Sequence, residues 1–552
     1  MNKKINARTI SLVLIFILIL ITIALLIGKF TYSYLAPTID DDVEGAGEVT
    51  ASGDTIIFTK GNTLSLNANT DNFKTGGSNL TATTNPKVKL MASSKTESAS
   101  SKYFAGIIIK NNTYSYTTTD KKPEVILTVK DENGNIVESS ADNLTFVTVN
   151  DNLKGFDITG VSGAFNIVTD HIIATPSNKS EVIHTWTFTL TFVNLVTDQS
   201  NNENSTLNID VVLQKDKIPT TIADFCSNGD NLGNCIVNYY NGLNTASNIY
   251  YHDANLTNGA GDNSYRFAGA SGEVNNYVCF GSNVTPCPAD NLYRIIGVFG
   301  DRVKLIKADY ATSALLGTDG DYKQAYTATG HSSLNYKGNN LANIAGYTWN
   351  YKNNTSINNG WGSNTWSTSL LNKTNLNKNF ITNIGADWAA KITETTWKVG
   401  GNTSANIYSQ PAKTAYQNEI VNPVTTNSTD NATEYSAKIG LMYASDYGFA
   451  AAPSAWTTQL SSYNGEAIKN VNWMYMGLYE WTISRRAGYA YIVFGVFNTG
   501  HVNDNSASSA FALRPVFYLS SSVNYVSGSG TAADPISINW LTDSFEKASP
   551  LT

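Results

Sequence analysis

A chain of 552 residues is too long for one ordinary domain, and we expect two or three. Charged residues make up only 15% of the chain and aromatic residues 11%, with 30 tyrosines, so the polar surface must come mostly from Asn, Ser, Thr and Tyr. The net charge of -7, with no Lys/Arg cluster beyond the N-terminus, argues against a nucleic-acid partner. This composition is typical of an extracellular β-rich protein.

The N-terminal segment is apolar enough to cross a bilayer. Three basic residues precede the run Ile10–Ile27, and this positive flank predicts that the N-terminus lies inside the cell. A cleaved signal peptide is the alternative, but the run is long and no obvious A-x-A cleavage site follows it. We therefore expect residues 1–30 to be a cytoplasmic tip and single transmembrane anchor in the cell membrane. Residues 31–47 are then a linker, and the rest of the chain is extracellular.

Residues 48–215 contain short strands and turns without a helical pattern, which predicts an all-β sandwich of Ig-like or jelly-roll-like type. The clearest strand signal is His184–Phe192, where apolar residues alternate with threonine and therefore share one face. Asp131–Gly134 is a hairpin signal. Asp198 lies in an acidic, turn-rich loop that could bind calcium or simply be solvated. No other metal or cofactor is expected.

Two segments of this region resemble a known family. They are P-E-V-I-L-T-V-K-D-E-N-G-N from Pro123 and T-F-V-N-L-V-T-D-Q-S-N-N-E-N from Thr191. Both are similar to the camelysin and biofilm-fibre type of β-sandwich protein of Gram-positive bacteria, over roughly one domain's length. The resemblance implies a surface or matrix protein.

A linker at 216–225 leads into a second domain at 226–540, and a tail follows at 541–552. The four cysteines of the chain all lie in this second domain: Cys226, Cys235, Cys279 and Cys287. Outside the cell they should be oxidised, and the short spacings favour two local loops, Cys226–Cys235 and Cys279–Cys287, among the three connectivities. Zinc binding is the alternative, but the C-x2-4-C spacings and nearby histidines it needs are missing.

The second domain mixes strands with helices. Leu292–Phe299 and Val303–Lys307 predict a hairpin, Ser367–Phe380 predicts a helix, and Ala437–Ala450 predicts a strand followed by a small-residue turn. Tyr489–Val496, an aromatic and β-branched run, predicts a strand.

The C-terminal part of this domain carries a lone buried charge. Arg514 lies in an apolar segment before Pro515, so it must be paired, and we assign it and Trp481 structural roles. Because Pro515 cannot donate to a ladder, the strand there is at an edge or interrupted.

The order of motifs between about Tyr277 and Ile538 resembles a second family. Y-V-C-F-G, N-L-Y-R-I-I-G-V-F, W-x-I-S-R and A-L-R-P-V-F-Y-L follow one another as in the C-type-lectin-like domains of bacterial surface proteins. The layout also resembles that of the formylglycine-generating enzymes, which use a cysteine pair late in this fold. The resemblance implies an α+β lectin-like domain. No cysteine follows Cys287, so that enzymatic activity is not implied, and the sugar-and-calcium triplets of animal C-type lectins are missing.

Catalytic motifs are not recognisable in the sequence, and we predict that the protein is not an enzyme. The five histidines are scattered and none belongs to a metalloprotease motif. Ser445, Asp446 and His501 could be combined into a triad, but a chain of this length supplies such sets by chance.

The predicted ligand surface is formed by two loops, 349–366 and 498–509, because long loops on a rigid scaffold carry recognition. The candidate binding residues are Trp361, Trp366, His501, Asn503, Asp504 and Asn505. Solvated turns and core tryptophans are the alternative interpretation. We expect an adhesin or receptor that binds a glycan or a surface protein. A structural subunit of a surface fibre is the second hypothesis and an enzyme the third, and the oligomeric state is open.

Overall fold

The described chain is mostly β-sheet with few helices. The computed structural model describes residues 46–51, 54–68, 79–93, 99–329, 334–402, 407, 409–423 and 433–540. The predicted membrane anchor Ile10–Ile27 and the predicted tail 541–552 lie outside these residues. Within the described ranges, no helix combines the length and apolar character that crossing a bilayer requires.

In its described residues, the first region, 46–214, is all-β apart from a 3-10 turn at Ser200–Asn202. Its strands are β1 Ala46–Ala51, β2 Asp54–Thr59, β3 Leu64–Asn67, β4 Leu80–Thr84, β5 Lys87–Met91, β6 Ser100–Lys110, β7 Val125–Lys130, β8 Phe146–Asn150, β9 Leu153–Asp157, β10 Gly163–Ala174, β11 Glu181–Thr185, β12 Thr187–Phe192 and β13 Thr206–Gln214.

These strands form antiparallel sheets with the orders β1-β2-β5-β11, β10-β6-β13-β3 and β4-β12-β7-β9-β8. Every second side chain of β6, from Tyr103 through Ala105 and Ile107 to Ile109, is fully buried, as the two-residue period of a strand requires. Alternate residues of the other strands join them in one apolar core. Layered sheets around a shared core are consistent with the predicted sandwich.

The alternating segment His184–Phe192 is not one continuous strand, so this detail of the prediction is wrong. β11 ends at Thr185, β12 begins at Thr187, and the two strands belong to different sheets. Trp186 lies between them and its backbone N–H donates to the carbonyl of Pro86 at 3.0 Å. The apolar residues are buried as predicted, because the two-residue period continues through the bend.

The second region contains the remaining strands. They are β14 Ile249–His252, β15 Ser264–Phe267, β16 Tyr277–Cys279, β17 Leu292–Phe299, β18 Arg302–Lys307, β19 Tyr322–Ala325, β20 Ala345–Tyr347, β21 Ile392–Thr393, β22 Thr395–Lys398, β23 Gly401–Asn402, β24 Glu434–Ala437, β25 Ile439–Gly440, β26 Glu480–Arg486, β27 Ile492–Val496, β28 Val502–Ser506, β29 Val516–Leu519, β30 Val523–Ser527 and β31 Ser537–Trp540.

The largest sheet of this region has the order β14-β15-β17-β18-β29-β21, with β16 added to β17 and β25 added to β29. The predicted hairpin supplies β17 and β18, and Gly300 takes a positive φ of 63° in its turn. A second sheet has the order β23-β26-β27-β28, and three two-stranded sheets complete the region. β29 begins directly after Pro515, so the proline interrupts no ladder.

The helices of this region are short. The α-helices are α1 Leu232–Leu243, α2 Ser313–Leu316, α3 Ile381–Asn383, α4 Ala386–Ala390, α5 Ala412–Tyr416, α6 Ala444–Phe449 and α7 Glu466–Lys469, and π-helical turns cover Leu371–Phe380 and Gln417–Val421. The predicted helix Ser367–Phe380 thus exists, but it begins at Leu371 and continues into α3.

The expected small-residue turn after β25 is helix α6, which corrects the prediction for Ala437–Ala450. A Cβ atom added at Gly448 would lie 2.7 Å from the Cβ of Ala412 on α5. The small residues therefore allow two helices to approach closely, which a turn signal in the sequence does not distinguish.

Two strand boundaries near the C-terminus also differ from expectation. β27 begins at Ile492, so Tyr489–Tyr491 belong to the turn before it. The segment 498–509, expected to be a loop, contains strand β28, which pairs along its whole length with β27.

Arg514 is buried and paired. Its Nε and Nη2 donate to the two carboxylate oxygens of Glu480 at 2.7 and 2.9 Å, and Nη2 also donates to the carbonyl of Met474 at 2.8 Å. Trp481 follows Glu480 on β26 and is buried against Phe511, with ring centroids 4.1 Å apart. Both residues lie inside the core of the second region.

The cysteines form the predicted pairs, Cys226–Cys235 and Cys279–Cys287. The Cα atoms are 5.4 and 5.9 Å apart, within the range that a disulfide spans. Both bonds lie in the second region and close loops of fewer than ten residues.

Candidate functional site

An exposed group of aromatic side chains lies at one end of the sheet that contains β26, β27 and β28. Trp361 and Tyr489 are 49% and 46% exposed, and Tyr491 is partly buried between them. The rings of Trp361 and Tyr491 are nearly parallel, with centroids 6.4 Å apart and planes at 22°. Tyr489 meets Tyr491 edge to face at 6.2 Å. We call Trp361, Tyr489 and Tyr491 the aromatic platform.

The loop that carries Trp361 is held in place by hydrogen bonds within the loop. The side chain of Asn358 donates to the carbonyl of Gly362 at 2.7 Å, and the backbone N–H of Trp361 donates to the Asn358 carbonyl at 3.2 Å. Gly362 has a φ of 82°, and a Cβ there would meet the carbonyl oxygen of Asn350 at 2.5 Å. Glycine is therefore required for the loop to close against the core and present the indole outward.

The turn that carries the two tyrosines is fixed by one buried amide. The Nδ2 group of Asn364 lies within hydrogen-bond distance of the carbonyls of Arg486, Tyr489 and Ile492, at 3.2, 2.7 and 3.1 Å. The backbone N–H of Asn364 donates to the carbonyl of Ala490 at 2.7 Å. Asn364 follows the Trp361 loop in the chain, so it joins the two segments that form the platform. Such preorganisation lowers the entropy cost of binding.

A charged pair borders the platform. The guanidinium carbon of Arg486 lies 4.2 Å from the centre of the Tyr489 ring, and its Nη1 donates to Asp504 at 2.6 Å. This cation–π contact and the ion pair hold Arg486 beside the aromatic platform. Trp361 and Asp504, predicted on two separate loops, are therefore connected through Tyr491, Tyr489 and Arg486.

The other predicted ligand residues have different environments. Trp366 is only 2% exposed and packs on Trp349, so it is a core residue and not part of the ligand surface. Asn503 and Asn505 lie on β28, where neighbouring side chains alternate between faces, so they do not share the face of Asp504. The six predicted residues therefore do not form a single surface.

His501 precedes β28 and is also partly buried. Its Nδ1 lies 2.9 Å from the Thr499 hydroxyl, its ring packs on Phe497, and burial lowers its pKa. Ser445 and Asp446, the other residues of the hypothetical triad, have different partners. The Asp446 carboxylate accepts from Lys304 at 2.5 Å, and the Ser445 N–H donates to Glu419 at 3.2 Å.

Tyr489, Tyr491 and Arg486 are not among the ligand residues that the sequence predicts. The pattern around the two tyrosines predicts a strand instead, because aromatic residues favour strands. The signal that identifies a turn was present in Ala487-Gly488, where Gly488 takes a φ of 97°.

A small pocket with a free volume of about 10 Å³ lies beside the platform-bearing sheet and is lined by Trp366, Glu434, Tyr435 and Arg485, among others. Typical pockets for small molecules are larger, at about 300–1,000 Å³. The open aromatic platform therefore offers more ligand contact than this pocket.

Asp198, the calcium candidate, is exposed, and its carboxylate accepts from the Ser200 N–H at 3.0 Å. That contact is typical of an Asx turn. Glu132, His171 and His184, by contrast, bring three metal-ligating side chains together in the first region.

Comparisons of the chain with known protein families, with characterised proteins and with solved structures found no match.

Proposed function

We propose that this protein is displayed on the cell surface from an N-terminal membrane anchor and binds a glycan through the aromatic platform of its second region. The observation that supports this most directly is the nearly parallel pairing of the exposed Trp361 ring with the partly buried Tyr491 ring, beside the exposed Tyr489. The apolar run Ile10–Ile27 supports the anchor, and the low charge with many polar uncharged residues supports an extracellular location.

The chemistry of the platform suits a sugar. A pyranose ring has an apolar C–H face that can stack on an indole or phenol, and hydroxyl groups at its edge that need hydrogen bonds. Tyr and Trp combine a large apolar surface with a polar group, and Arg486 and Asp504 supply charged partners next to the rings. A polypeptide ligand is the other outcome that a binding screen can give.

The proposal also assigns a fold type to each of the two regions. The first region is proposed as an Ig-like or jelly-roll-like sandwich related to camelysin and biofilm-fibre proteins. The second is proposed as a C-type-lectin-like domain. In this arrangement the first region acts as a stalk and the second presents the ligand surface away from the membrane.

The test is a glycan and surface-protein array probed with the purified full-length chain in detergent. Trp361→Ala should weaken binding to any ligand found by about 30-fold or more, the equivalent of roughly 2 kcal/mol at an interface hot spot. Tyr116→Ala is the matched control, because it removes an aromatic side chain that is 37% exposed in the first region. Equal loss with both variants, or none with Trp361→Ala, contradicts the proposed site.

A structural subunit of a surface fibre is the second candidate. β11 is at the edge of its sheet, and its residue Ile183 is 49% exposed, so an apolar edge strand is available for pairing with another chain. Sedimentation of the full-length chain at rising concentration tests this candidate. Ile183→Lys should abolish any assembly formed through β11, since a lysine on an edge strand opposes pairing.

A further inference from the structure

We propose that Glu132, His171 and His184 form a binding site for a divalent transition-metal ion of the zinc type. One ligand atom from each side chain lies within 4.8 Å of the other two. The site is in the first region, far along the chain from the aromatic platform, and it does not depend on the proposed function.

The three residues come from one turn and two strands, and the strand before the turn and these two strands belong to three different sheets. Glu132 is in the tight turn that follows β7, where the N–H of Gly134 donates to the carbonyl of Asp131 at 3.0 Å. His171 is on β10, next to a register irregularity in its pairing with β6. His184 is on β11. An ion bound here would connect the sheets at the point where they meet, as a disulfide would in another extracellular domain.

The distances fit a metal site with small adjustments. Nε2 of His171 is 3.0 Å and Nδ1 of His184 is 3.9 Å from Oε2 of Glu132. Zinc ligands lie about 2.0–2.2 Å from the ion, so two ligands at tetrahedral angles are roughly 3.3–3.5 Å apart. The observed distances lie on either side of this value. Movements of a few tenths of an ångström would bring each imidazole nitrogen to this distance from the Glu132 carboxylate oxygen.

Tyr103 lies next to the proposed ligand atom of His184. The indole N–H of Trp186 donates to the Tyr103 hydroxyl at 2.7 Å, and that hydroxyl lies 3.0 Å from Nδ1 of His184. A neutral imidazole nitrogen has one lone pair, so an ion bound at Nδ1 would replace the hydrogen bond to Tyr103.

Aromatic rings enclose one side of the cluster. The His171 ring lies 5.1 Å from Trp186, 5.2 Å from Tyr103 and 5.6 Å from His184, measured between centroids. The side chains of His171, His184 and Glu132 keep 24%, 12% and 18% exposure, so an ion can enter from solvent. Water would complete the coordination, as in other sites with three protein ligands.

The ligand set selects the class of ion. Two imidazoles and one carboxylate suit zinc, copper, nickel or iron, whereas calcium and magnesium prefer oxygen ligands alone. The carboxylate of Glu132 would also partly neutralise the positive charge of the ion. We therefore choose Zn2+ as the probe for binding and Co2+ as the spectroscopic probe.

The experiment uses the full-length chain without a histidine tag, stripped with a chelator. Calorimetric titration with Zn2+ should give one site per chain, and Zn2+ should raise its Tm. His171→Asn combined with His184→Asn should abolish that site, whereas Glu132→Gln should weaken it by more than 10-fold. Tyr103→Phe removes the hydroxyl that competes for Nδ1 of His184, so this variant should bind Zn2+ at least as tightly as wild type.

His501→Asn is the matched control, because it removes a partly buried histidine from the second region and should leave Zn2+ binding unchanged. Circular dichroism checks that each variant is folded. If the double histidine variant does not fold, the visible Co2+ bands of Glu132→Gln against wild type decide the question. A wild-type chain that binds no Zn2+, or a folded double variant that binds it equally well, overturns the proposal.

Discussion

The two regions satisfy their buried polar groups in different ways. The first region has long antiparallel ladders, and its buried carboxylate Glu124 accepts hydrogen bonds from neutral donors of Thr117, Gln199 and Asn202. The second region buries charged pairs, among them Arg514 with Glu480 and Lys304 with Asp446.

Tryptophan is used differently as well. The first region has one tryptophan, Trp186, whose indole donates to a side chain. In the second region several buried indoles donate to backbone carbonyls: Trp349, Trp397, Trp456, Trp473 and Trp481. Buried polar groups need partners, and these single side chains link the backbone of separate segments of this region. Its stability should therefore depend on individual polar groups.

The largest expected effect is at the buried ion pair. Arg514→Ala leaves Glu480 buried without its cationic partner and should lower the free energy of unfolding by about 3–5 kcal/mol, measured by chemical denaturation. Lys110→Ala in the first region is the matched control. Its partner Asp210 is partly solvated, so the loss should be at most about 1 kcal/mol. Equal losses would remove the distinction between the regions.

Loss of a disulfide should act on the second region alone. Replacing Cys279 and Cys287 together by Ser should cost roughly 2–3 kcal/mol, because the closed loop is short. Hydrogen exchange followed by mass spectrometry should show faster exchange around β16 and β17. Faster exchange in β6 or β12, in the cysteine-free first region, would show that the two regions unfold together.

A pH dependence is expected from Glu419. Burial raises its pKa from the usual 4.5 to about 7, although the Ser484 hydroxyl and the Ser445 N–H donate to it. Because the folded chain holds this proton more tightly than the unfolded chain, this contribution to stability is present below pH 4.5. It is lost as pH rises to about 7.

The loss should amount to roughly 3–4 kcal/mol, at about 1.4 kcal/mol per pKa unit. Glu419→Gln cannot titrate, so the difference in unfolding free energy between variant and wild type should change across this pH range. A constant difference from pH 4 to pH 8 would show that the pKa of Glu419 is not raised.

The smallest effect on stability is expected at the aromatic platform. Trp361→Ala should change the free energy of unfolding by no more than about 0.5 kcal/mol, since half of the side chain is already exposed. Trp349→Ala, at a buried indole nearby, should cost about 3–5 kcal/mol. A large loss for Trp361→Ala would make this residue a structural element and weaken the proposed ligand site.

Local patterns predicted those features that depend on neighbours in the chain. The β17–β18 hairpin, the two short disulfide loops and the buried face of the segment His184–Phe192 all follow from spacing and alternation. The paired state of Arg514 also follows, because a lone charge in an apolar segment has to find a counter-charge. Which residue is that partner, Glu480, depends on the tertiary structure.

Only the tertiary structure decided which surfaces and clusters exist. The spacing of Trp361 and Trp366 does not tell which indole is exposed, because exposure depends on what packs above each ring. Alternation cannot show that β11 and β12 belong to different sheets. Glu132, His171 and His184 have no local motif, and they meet because a turn and two strands from three sheets converge. The spacing of hydrophobic residues is a local property of the chain, whereas the burial of a side chain and the geometry of a ligand site are set by contacts between distant segments.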